Sequence, residues 1–420
     1  MRTLTFSAAA IAAVLVSGLI VSTPAIAATD TGHKNIKAVE APGGQISVTW
    51  GATKAVKYYQ VKVSSMPDMS QDVKTYKISK SKTAVTVAPA ANAGPTSGNY
   101  SFVRVYAVKK NGKLGESPFA KVRLTAPAPN PIGPGVTVGT FNIRTAEADG
   151  TGGAKWSARK DIVASQITAS GASVVALQEA GAVIGKECQV VIYVGTDGLK
   201  HKFKDCYFQF EQLDDMLPQY SLVNKDEYSP NGADGKESTR ILYDPSKVSL
   251  AESGFFAPSK IDKNLQFVPW AVFTDNVTQK QFVFISAHLA NNAKGQTEKY
   301  WSKLRVKQAK KVMAFAKAKS AGRQVIIAGD MNSNQYTLPS NVVDKAFLAG
   351  GFYDAYATAN ITNEFFATFN EFERPKASSS RTDYIFTWGG PVGSYAYKNW
   401  IVRSGVFPSD HYMQSATVPF

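Results

Sequence analysis

The sequence predicts two folded units, an all-β sandwich at residues 33–125 and an α/β domain at residues 136–420. The first segment contains short runs with period-2 alternation and no helical periodicity, which is typical of antiparallel strands. In the second segment, apolar runs typical of buried strands alternate with helical spacing. A Pro-rich stretch at residues 126–135 separates the two segments and predicts a semi-rigid linker.

The composition is that of a globular protein. The chain has 420 residues, of which 44% are hydrophobic and 19% are charged. These values exclude a disordered, collagen-like or multi-span membrane protein. The formal net charge of +15 and the pI near 9.5 indicate an anionic partner, such as nucleic acid, an anionic membrane surface or a wall polymer.

A leader segment is predicted at the start of the sequence. An uncharged apolar run at residues 6–21 follows Arg2 and precedes a pattern of small residues around Ala27. This is typical of a signal peptide, so we expect residues 1–27 to be removed and the protein to be secreted. An uncleaved anchor is the alternative. No other stretch approaches the roughly 18 to 20 apolar residues of a spanning helix, and we expect no stable membrane insertion.

Only two cysteines are present, Cys188 and Cys206. Two are too few for a disulfide scaffold or a cysteine-based zinc site. In an oxidising compartment we expect them to form one disulfide that restrains a loop, and two free thiols are the alternative.

The first unit resembles a fibronectin type III domain. The similarity rests on Trp50 at the end of one predicted strand, on the long aromatic strand and on the turn at residues 115–118 (GESP) that follows it. No residue of this unit forms a catalytic motif. The net charge of residues 31–127 is +11, so this unit binding a polyanion is one hypothesis and a solubilising surface is the other. Its predicted strands are residues 46–50 (ISVTW), 59–63 (YQVKV), 84–87 (AVTV) and 100–108 (YSFVRVYAV).

The second unit is predicted to alternate strands and helices. One helix is indicated by Leu304, Gln308, Val312 and Phe315, which recur at helical spacing before Gly322 ends the pattern. The other predicted elements are strands at residues 136–143, 174–177, 282–285 and 325–328 and a helix at residues 156–169.

Polar residues follow the apolar runs of this second unit repeatedly. Such strand ends converge on one edge of a layered sheet protein, where sites are usually built. A single Asp or His in this position is more often structural, so only the whole set predicts a site. Its members are Asn142, Glu179, His288, Asp330, Asn332, Asp383, Asp410 and His411.

Taken in order, these motifs resemble the endonuclease/exonuclease/phosphatase superfamily across residues 136–420. The resemblance implies a four-layer α/β sandwich, with two packed sheets flanked by helices, that acts on phosphoester bonds with a divalent cation. Mg²⁺ is the expected ion, Mn²⁺ the alternative and Ca²⁺ an assisting ion. The motifs that carry the resemblance are TFNIR at 140–144, LQE at 177–179, SAHL at 286–289, GDMNS at 329–333, TDYIF at 382–386 and SDH at 409–411.

The residue types fit this chemistry. Hydrolysis of an anionic phosphodiester needs charge neutralisation and an activated water. Glu179 and Asp410 are hard oxygen ligands for such an ion, and Asn142 is expected to orient a ligand or hold the phosphate. His411 is the expected base or phosphate-polarising group, and Asp383 is expected to fix its tautomer.

Two further residues are expected to bind the scissile phosphate and position the water, namely Asp330 and Asn332. Residues 236–250 also resemble secreted pancreatic-type deoxyribonucleases, in which a glutamate supports a second catalytic histidine. This resemblance implies that Glu237 pairs with His288, and a solvated surface charge is the alternative for Glu237. Residues 181–236 match no family pattern, and we expect a substrate-selecting loop there.

The leading hypothesis is therefore a secreted, divalent-metal-dependent phosphodiesterase, namely a nuclease of low sequence specificity that acts on extracellular DNA, with RNA as the alternative nucleic-acid substrate. We expect a monomer. A sphingomyelinase-like or other phospholipid or small-phosphoester hydrolase is the alternative within the class, and a phospholipid-directed enzyme needs an exposed apolar hairpin. Tyr300 with Trp301 and Phe365 with Phe366 are short candidates for that hairpin, more easily interpreted as helix core and strand. A non-catalytic polyanion-binding protein is the alternative from another class.

Overall fold

The computed structural model describes residues 35–112, 114–115, 118–125, 133–184, 189–194, 200–205, 207–224, 239–261, 264–292, 295–336, 341–364, 366–373 and 381–420. Several predictions fall outside these residues and stay predictions. They are the signal peptide at residues 1–27, both cysteines with their disulfide, Glu237, and residues 126–132 of the linker.

The N-terminal unit is all-β and consists of two sheets. One has the strand order β1-β2-β5; the other has the order β4-β3-β6-β7, with β8 also paired to β6. The four predicted strands are present. The resemblance to fibronectin type III is not tested by this arrangement and stays a prediction. The strands are β1 Lys37–Ala41, β2 Gln45–Thr49, β3 Val56–Ser64, β4 Lys74–Ser79, β5 Ala84–Val87, β6 Tyr100–Lys109, β7 Leu114–Gly115 and β8 Ala120–Arg123.

The core of this unit forms because alternate residues of the two sheets face each other. Val48, Val61 and Val103 are fully buried there, and Trp50 packs edge-on against Tyr59 with ring centroids 5.4 Å apart. Strand β4 was not predicted. Only Tyr76 and Ile78 are apolar in it, and both are half-buried, so its alternation is too short to indicate a strand.

A seven-stranded sheet begins the second unit. Its strand order is β13-β14-β10-β9-β23-β22-β20, and β9 and β10 at its centre are parallel. The strands, with the separate hairpin β11–β12, are β9 Gly135–Asn142, β10 Val174–Gln178, β11 Gln189–Val194, β12 Lys200–Asp205, β13 Ser221–Leu222 and β14 Arg240–Tyr243, followed later in the chain by β20 Ile361–Thr362, β22 Ala396–Asn399 and β23 Gln414–Pro419.

A six-stranded sheet packs against the first. Its order is β15-β16-β17-β18-β21-β19, with β17 and β18 parallel and β18 and β21 antiparallel. Val138 and Val174 of one sheet and Phe284 and Ile326 of the other lie in the core between them. The strands are β15 Val248–Ile261, β16 Asn264–Asp275, β17 Gln281–His288, β18 Gln324–Asp330, β19 Tyr353–Asp354 and β21 Asp383–Trp388.

The helices cover the outer faces of the two sheets. Those packed on the seven-stranded sheet are α1 Trp156–Ser170 and α2 Gln209–Met216, and those packed on the six-stranded sheet are α3 Glu298–Ser320 and α4 Val342–Ala349. This layering agrees with the architecture that the superfamily resemblance implies. Among the described helices, none combines the length and the apolar character that crossing a membrane requires.

The predicted long helix is present, but its buried face is shifted from the predicted stripe. Gln308 and Val312 are buried, whereas Leu304 and Phe315 are half-buried at the edge of that face. The helix ends at Ser320, because Ala321 and Gly322 both adopt left-handed backbone conformations. Trp301 is buried beside the exposed Tyr300, so this pair does not form the exposed apolar hairpin of the lipid-directed alternative.

Candidate active site

Strand register places three predicted site residues in one row at the end of the six-stranded sheet. His288, the last residue of β17, lies opposite Asp330, the last residue of β18. Asp330 in turn lies opposite Asp383, the first residue of β21. The parallel and antiparallel pairings therefore bring together residues that are far apart in the sequence.

The seven-stranded sheet contributes to the same place through Asn142. The buried Asn142 side chain donates from Nδ2 to Oε1 of Glu179 and to Oδ2 of Asp330, at 3.1 Å each. Its Oδ1 accepts from the backbone N–H of Arg144 at 3.0 Å. One amide thus connects the acidic residues of both sheets.

Glu179 is held in a left-handed backbone conformation, with φ of +57°. Such a conformation is uncommon for a residue with a side chain and occurs often at functional sites. Oε2 accepts from the backbone N–H of Thr145 at 3.2 Å. Burial by itself raises the pKa of Glu179, but His288 and the Asn142 donor outweigh it, so the net pKa is lowered and the carboxylate is ionised.

Asp410 is paired with Arg144, an ion pair that the sequence did not reveal. The guanidinium donates to Oδ2 of Asp410, and Ser409 donates to Oδ1 at 3.2 Å. The Ser409 hydroxyl lies 2.7 Å from the backbone oxygen of Asn142, its other acceptor. Arg144 stood inside a recognised motif, which was the only signal for it.

A second arginine, Arg159 of α1, holds the backbone around the Arg144–Asp410 pair, and it was not predicted from the sequence. Its side chain is fully buried and donates to the backbone oxygens of Ile143, Arg144 and Pro408. A helical arginine is usually solvent-exposed, so its sequence position gave no signal.

Asp383 and His411 form a close buried pair. Nδ1 of His411 lies 2.9 Å from Oδ2 of Asp383, and the Thr368 hydroxyl accepts from the backbone N–H of Asp383 at 3.2 Å. Burial opposes the charged imidazole, but Asp383 and Asp330 outweigh it and raise the pKa of His411 to about 10. His411 is therefore protonated at neutral pH in the metal-free protein.

Asp330 lies between the two histidines. Its Oδ2 is 3.6 Å from Nε2 of His288 and 3.7 Å from Nε2 of His411. Burial raises the pKa of Asp330, and Asp383 adds to this against the opposing influence of both histidines. Oδ1 accepts from the backbone N–H of Asn332 at 2.8 Å. Asn332 is itself left-handed, and its Nδ2 donates to the backbone oxygen of Leu289 at 3.0 Å.

All eight described candidates therefore lie in one cluster, with Glu237 outside the described residues. The site concentrates four carboxylates, those of Glu179, Asp330, Asp383 and Asp410. Ligand atoms of Asp330, Asp383 and His411 lie within 4.8 Å of one another, a spacing suited to a metal ion. Among the residues that the structure describes, none forms a hydrogen bond with the buried Oδ1 of Asp383. Oxygen donors, excess negative charge and an unpaired carboxylate oxygen fit a hard divalent cation.

Two aromatic residues beside the site were not predicted. The ring of Phe369 lies 4.9 Å from that of His411 between centroids, and 41% of this phenylalanine is exposed. The guanidinium carbon of Arg144 lies 5.0 Å from the ring centroid of Phe372. Both residues come from the loop before β21, where no motif marked them.

The sequence profile of the Endonuclease/Exonuclease/phosphatase family matches residues 139–411, which contain the whole cluster. Among solved structures, the chain is similar to a mannosyl-6-phosphatase of Bacteroides thetaiotaomicron VPI-5482, at 21% identity over 68% of this chain and 100% of that chain, with a TM-score of 0.50. It is also similar to a family protein of Bacteroides vulgatus (21% identity, 68% and 98% covered, TM-score 0.49). A family protein of Bacteroides thetaiotaomicron gives 19% identity, 68% and 97% covered, and a TM-score of 0.49. No curated protein matches the chain.

Proposed function

Because the chain belongs to the Endonuclease/Exonuclease/phosphatase family, we propose that it is a secreted, metal-dependent phosphodiesterase of low sequence specificity that hydrolyses extracellular DNA. Hydrolysis of phosphoric esters follows from the family, and the finer statements are the proposal. The observation that carries it is the row of His288, Asp330 and Asp383 at the end of the six-stranded sheet, with His411, from the segment just before β23, beside Asp330 and Asp383.

Glu179, Asn142 and Asp410 are the proposed ligands of Mg²⁺, with Mn²⁺ as a substitute and Ca²⁺ as an assisting ion. When bound, such an ion neutralises phosphate charge and lowers the pKa of a coordinated water. The ionised Glu179 carboxylate beside the shared Asn142 amide supports the assignment.

The protein's own groups complete the proposed mechanism. His411 is protonated, so of its two expected roles polarisation of the phosphate is favoured over that of a base. Asp383 accepts from Nδ1 of His411 and so orients the protonated ring, a role that would become selection of the tautomer if the imidazole were neutral. Asp330 lies between the two Nε2 atoms, where it orients the attacking water, and Asn332 and Asn142 hold phosphate oxygens. Glu237 is the proposed partner of His288.

Two surface features support a nucleic-acid substrate. Phe369 offers an exposed ring beside His411, and aromatic rings stack on bases of any sequence. The N-terminal sandwich also has an open cleft of about 520 Å³ around Tyr58. We name this feature the lysine cleft, and its basic members are Lys57, Lys77, Lys80 and Lys110.

The lysine cleft is suited to a polyanion. Nζ of Lys77 lies 4.8 Å from the centroid of the Tyr58 ring, and the four lysines are exposed. Among the described residues, none of the four forms an ion pair with a carboxylate. Lysines without acidic partners neutralise phosphates at little desolvation cost, and this favours electrostatic capture without base recognition.

The decisive experiment incubates the purified protein with plasmid DNA, RNA, sphingomyelin vesicles, a sugar 6-phosphate and bis(p-nitrophenyl) phosphate, each with Mg²⁺, Mn²⁺ or chelator. We expect metal-dependent cleavage of DNA and of the small diester, lost in His411→Ala and in His288→Ala by on the order of 10²-fold or more. Preference for sphingomyelin or the sugar phosphate would replace the proposed substrate. Binding of DNA without cleavage of any substrate would favour the non-catalytic alternative.

Secretion and the disulfide are tested separately. Expression with the native leader is expected to release a protein whose first residue follows the predicted cut near Ala27. Mass spectrometry without reductant is expected to show Cys188 linked to Cys206. Retention of the leader or two free thiols in released protein would contradict the respective proposal.

A further inference from the structure

The N-terminal sandwich, residues 35–125 as described, is docked on the second domain through buried polar contacts. Nδ2 of Asn99 donates to Oδ2 of Asp344 at 2.5 Å, and the backbone N–H of Asp354 donates to the backbone oxygen of Thr96 at 2.9 Å. Asn99, Asp344 and Asp354 are all buried. Buried polar groups that are paired in this way specify one relative placement, because any displacement leaves them unpaired.

One contact belongs to the segment that carries Asn332. Gln335, three residues later, is buried and points into the sandwich. Its Nε2 donates to the backbone oxygens of Ser65 at 3.0 Å and Tyr100 at 2.6 Å, while its Oε1 accepts from the backbone N–H of Tyr100 at 3.0 Å. Backbone groups of the sandwich thus bond both the amide nitrogen and the amide oxygen of the Gln335 side chain.

A second contact belongs to the segment that carries Asp383. Arg381, two residues earlier, is buried, donates to Oδ2 of Asp354 at 2.6 Å and stacks 3.9 Å from the ring centroid of Tyr356. Gly98 of the sandwich covers this arrangement, with φ of +66°. A Cβ at Gly98 would lie 3.0 Å from Cδ1 of Tyr356, 3.1 Å from Nη2 of Arg381 and 3.2 Å from Oδ2 of Asp354.

We infer that the sandwich is a positioning element of the active site, in addition to any role in capturing substrate. Gln335 and the backbone at Gly98 fix the two segments that place Asn332 and Asp383. Catalytic groups must be held within fractions of an ångström by the structure around them, and misplacement by about 1 Å costs on the order of 10²-fold. The sandwich therefore contributes to turnover even for a substrate too small to reach it.

This inference rests on the proposed function only for its kinetic readout. The first test compares Gly98→Ala with Gly43→Ala. Both glycines have positive φ, so both substitutions carry a similar backbone penalty, but no atom of the described residues lies within 4 Å of a Cβ at Gly43. We measure kcat and KM with bis(p-nitrophenyl) phosphate, the melting temperature, and the NMR resonance of the His411 Nδ1 proton.

For Gly98→Ala we expect kcat to fall about 10-fold or more, KM to stay within about 2-fold, and the His411 resonance to shift. Gly43→Ala is expected to match the wild type in kcat, in KM and in the His411 resonance, and its backbone penalty should appear only in the melting temperature. The resonance reports the Asp383 contact directly, so it decides this inference even if the wild type hydrolyses none of the substrates and the proposed function fails.

A second variant, Gln335→Glu, keeps the shape but removes the donor that faces two backbone oxygens. Its stability control is Val48→Ala, in the core of the sandwich and outside the docking contacts. At a temperature well below all transitions, Gln335→Glu is expected to lower kcat and Val48→Ala to leave it unchanged. If both docking variants change only the melting temperature, with kcat and the resonance equal to those of their controls, the sandwich merely stabilises the protein and the inference is overturned.

Discussion

The Nδ1 atom of His411 lies 2.9 Å from Oδ2 of Asp383, and both residues are almost fully buried. This contact sets the charge and orientation of the imidazole. In Asp383→Asn the carboxylate is lost, so the pKa of His411 should fall from about 10 towards the usual value. We expect kcat to fall on the order of 10²-fold, checked by steady-state kinetics and by NMR titration of the imidazole.

Asp275→Asn is the matched control for that substitution. Asp275 is also a buried acid, but its carboxylate accepts from the backbone N–H and the hydroxyl of Thr278 rather than from His411, and it makes none of the docking contacts described above. It should leave the His411 titration in place. An Asp383→Asn protein with an unaltered His411 titration would show that the pair does not control the imidazole.

The raised pKa of His411 also predicts how stability depends on pH. The folded metal-free protein holds this proton more tightly than the unfolded chain does. The resulting stabilisation is fully present below the model-peptide value of 6.5 and is lost as the pH rises to about 10.

Chemical unfolding of chelator-treated protein measures this contribution. Between pH 6.5 and about pH 10, the free energy of unfolding of the wild type should decline relative to that of His411→Gln by up to about 1.4 kcal/mol per pH unit. Taking the difference from His411→Gln removes the contribution of other titrating groups. Parallel pH profiles for the two proteins would contradict the raised pKa.

Metal binding is expected to depend on Glu179 more than on its exposed neighbour Glu147. Glu179→Gln keeps the shape and the left-handed backbone but removes the charge, so the affinity for Mg²⁺ should fall more than 10-fold, with turnover lost. Titration calorimetry measures the affinity, and Glu147→Gln is the control. If Asp330→Asn abolishes binding while Glu179→Gln does not, the ion belongs to the Asp330, Asp383 and His411 cluster instead.

The candidate cluster was predictable because its members are tied to strand ends. His288, Asp330 and Asn142 each end an apolar run. Pairing of β17 with β18 brings His288 beside Asp330, and packing of the two sheets places Asn142 against Asp330. Local sequence is therefore enough to identify the site residues, because the geometry of the sheets fixes where the strand ends lie. The same reasoning located the central strands, whose apolar runs are continuous because both faces are covered.

The supporting contacts were not predictable, because they join segments that no local pattern relates. Gln335 meets Tyr100 across 235 positions, and Arg144 meets Asp410 across 266. Neither glutamine nor arginine carries a signal for its partner in a single sequence. The docking of the sandwich beside the site was likewise not predictable from the sequence. The predicted linker indicated only that the two domains are separate units.

We expect Phe369 to strengthen the binding of substrates that carry a base next to the scissile phosphate. Its exposed side chain beside His411 can stack on a base adjacent to the scissile phosphate, a contact of about 1–3 kcal/mol per base. Phe369→Ala should therefore raise KM for a dinucleotide about 5-fold or more and leave KM for dimethyl phosphate unchanged. Phe369→Tyr keeps the ring and is the control. Equal KM changes for both substrates would mean that Phe369 only packs against His411.

Electrostatic capture of DNA is expected to reside in the lysine cleft. Each phosphate neutralised contributes about −0.9 to the slope of log K against log salt concentration. Replacing Lys57, Lys77, Lys80 and Lys110 by Gln should therefore make the slope shallower by about 2 to 3, if three of the four meet phosphates. Filter binding across a range of salt concentrations, with metal replaced by chelator to prevent cleavage, gives the slope.

The matched control replaces four exposed lysines of α3, namely Lys303, Lys307, Lys310 and Lys311, with Gln. It changes the net charge by the same amount but leaves the lysine cleft intact, so its slope should stay near that of the wild type. Deleting the sandwich is a poorer test, because deletion also removes the contacts to Gln335 and Arg381. Equal slopes for the two quadruple variants would show that the overall positive charge, and not the lysine cleft, attracts DNA.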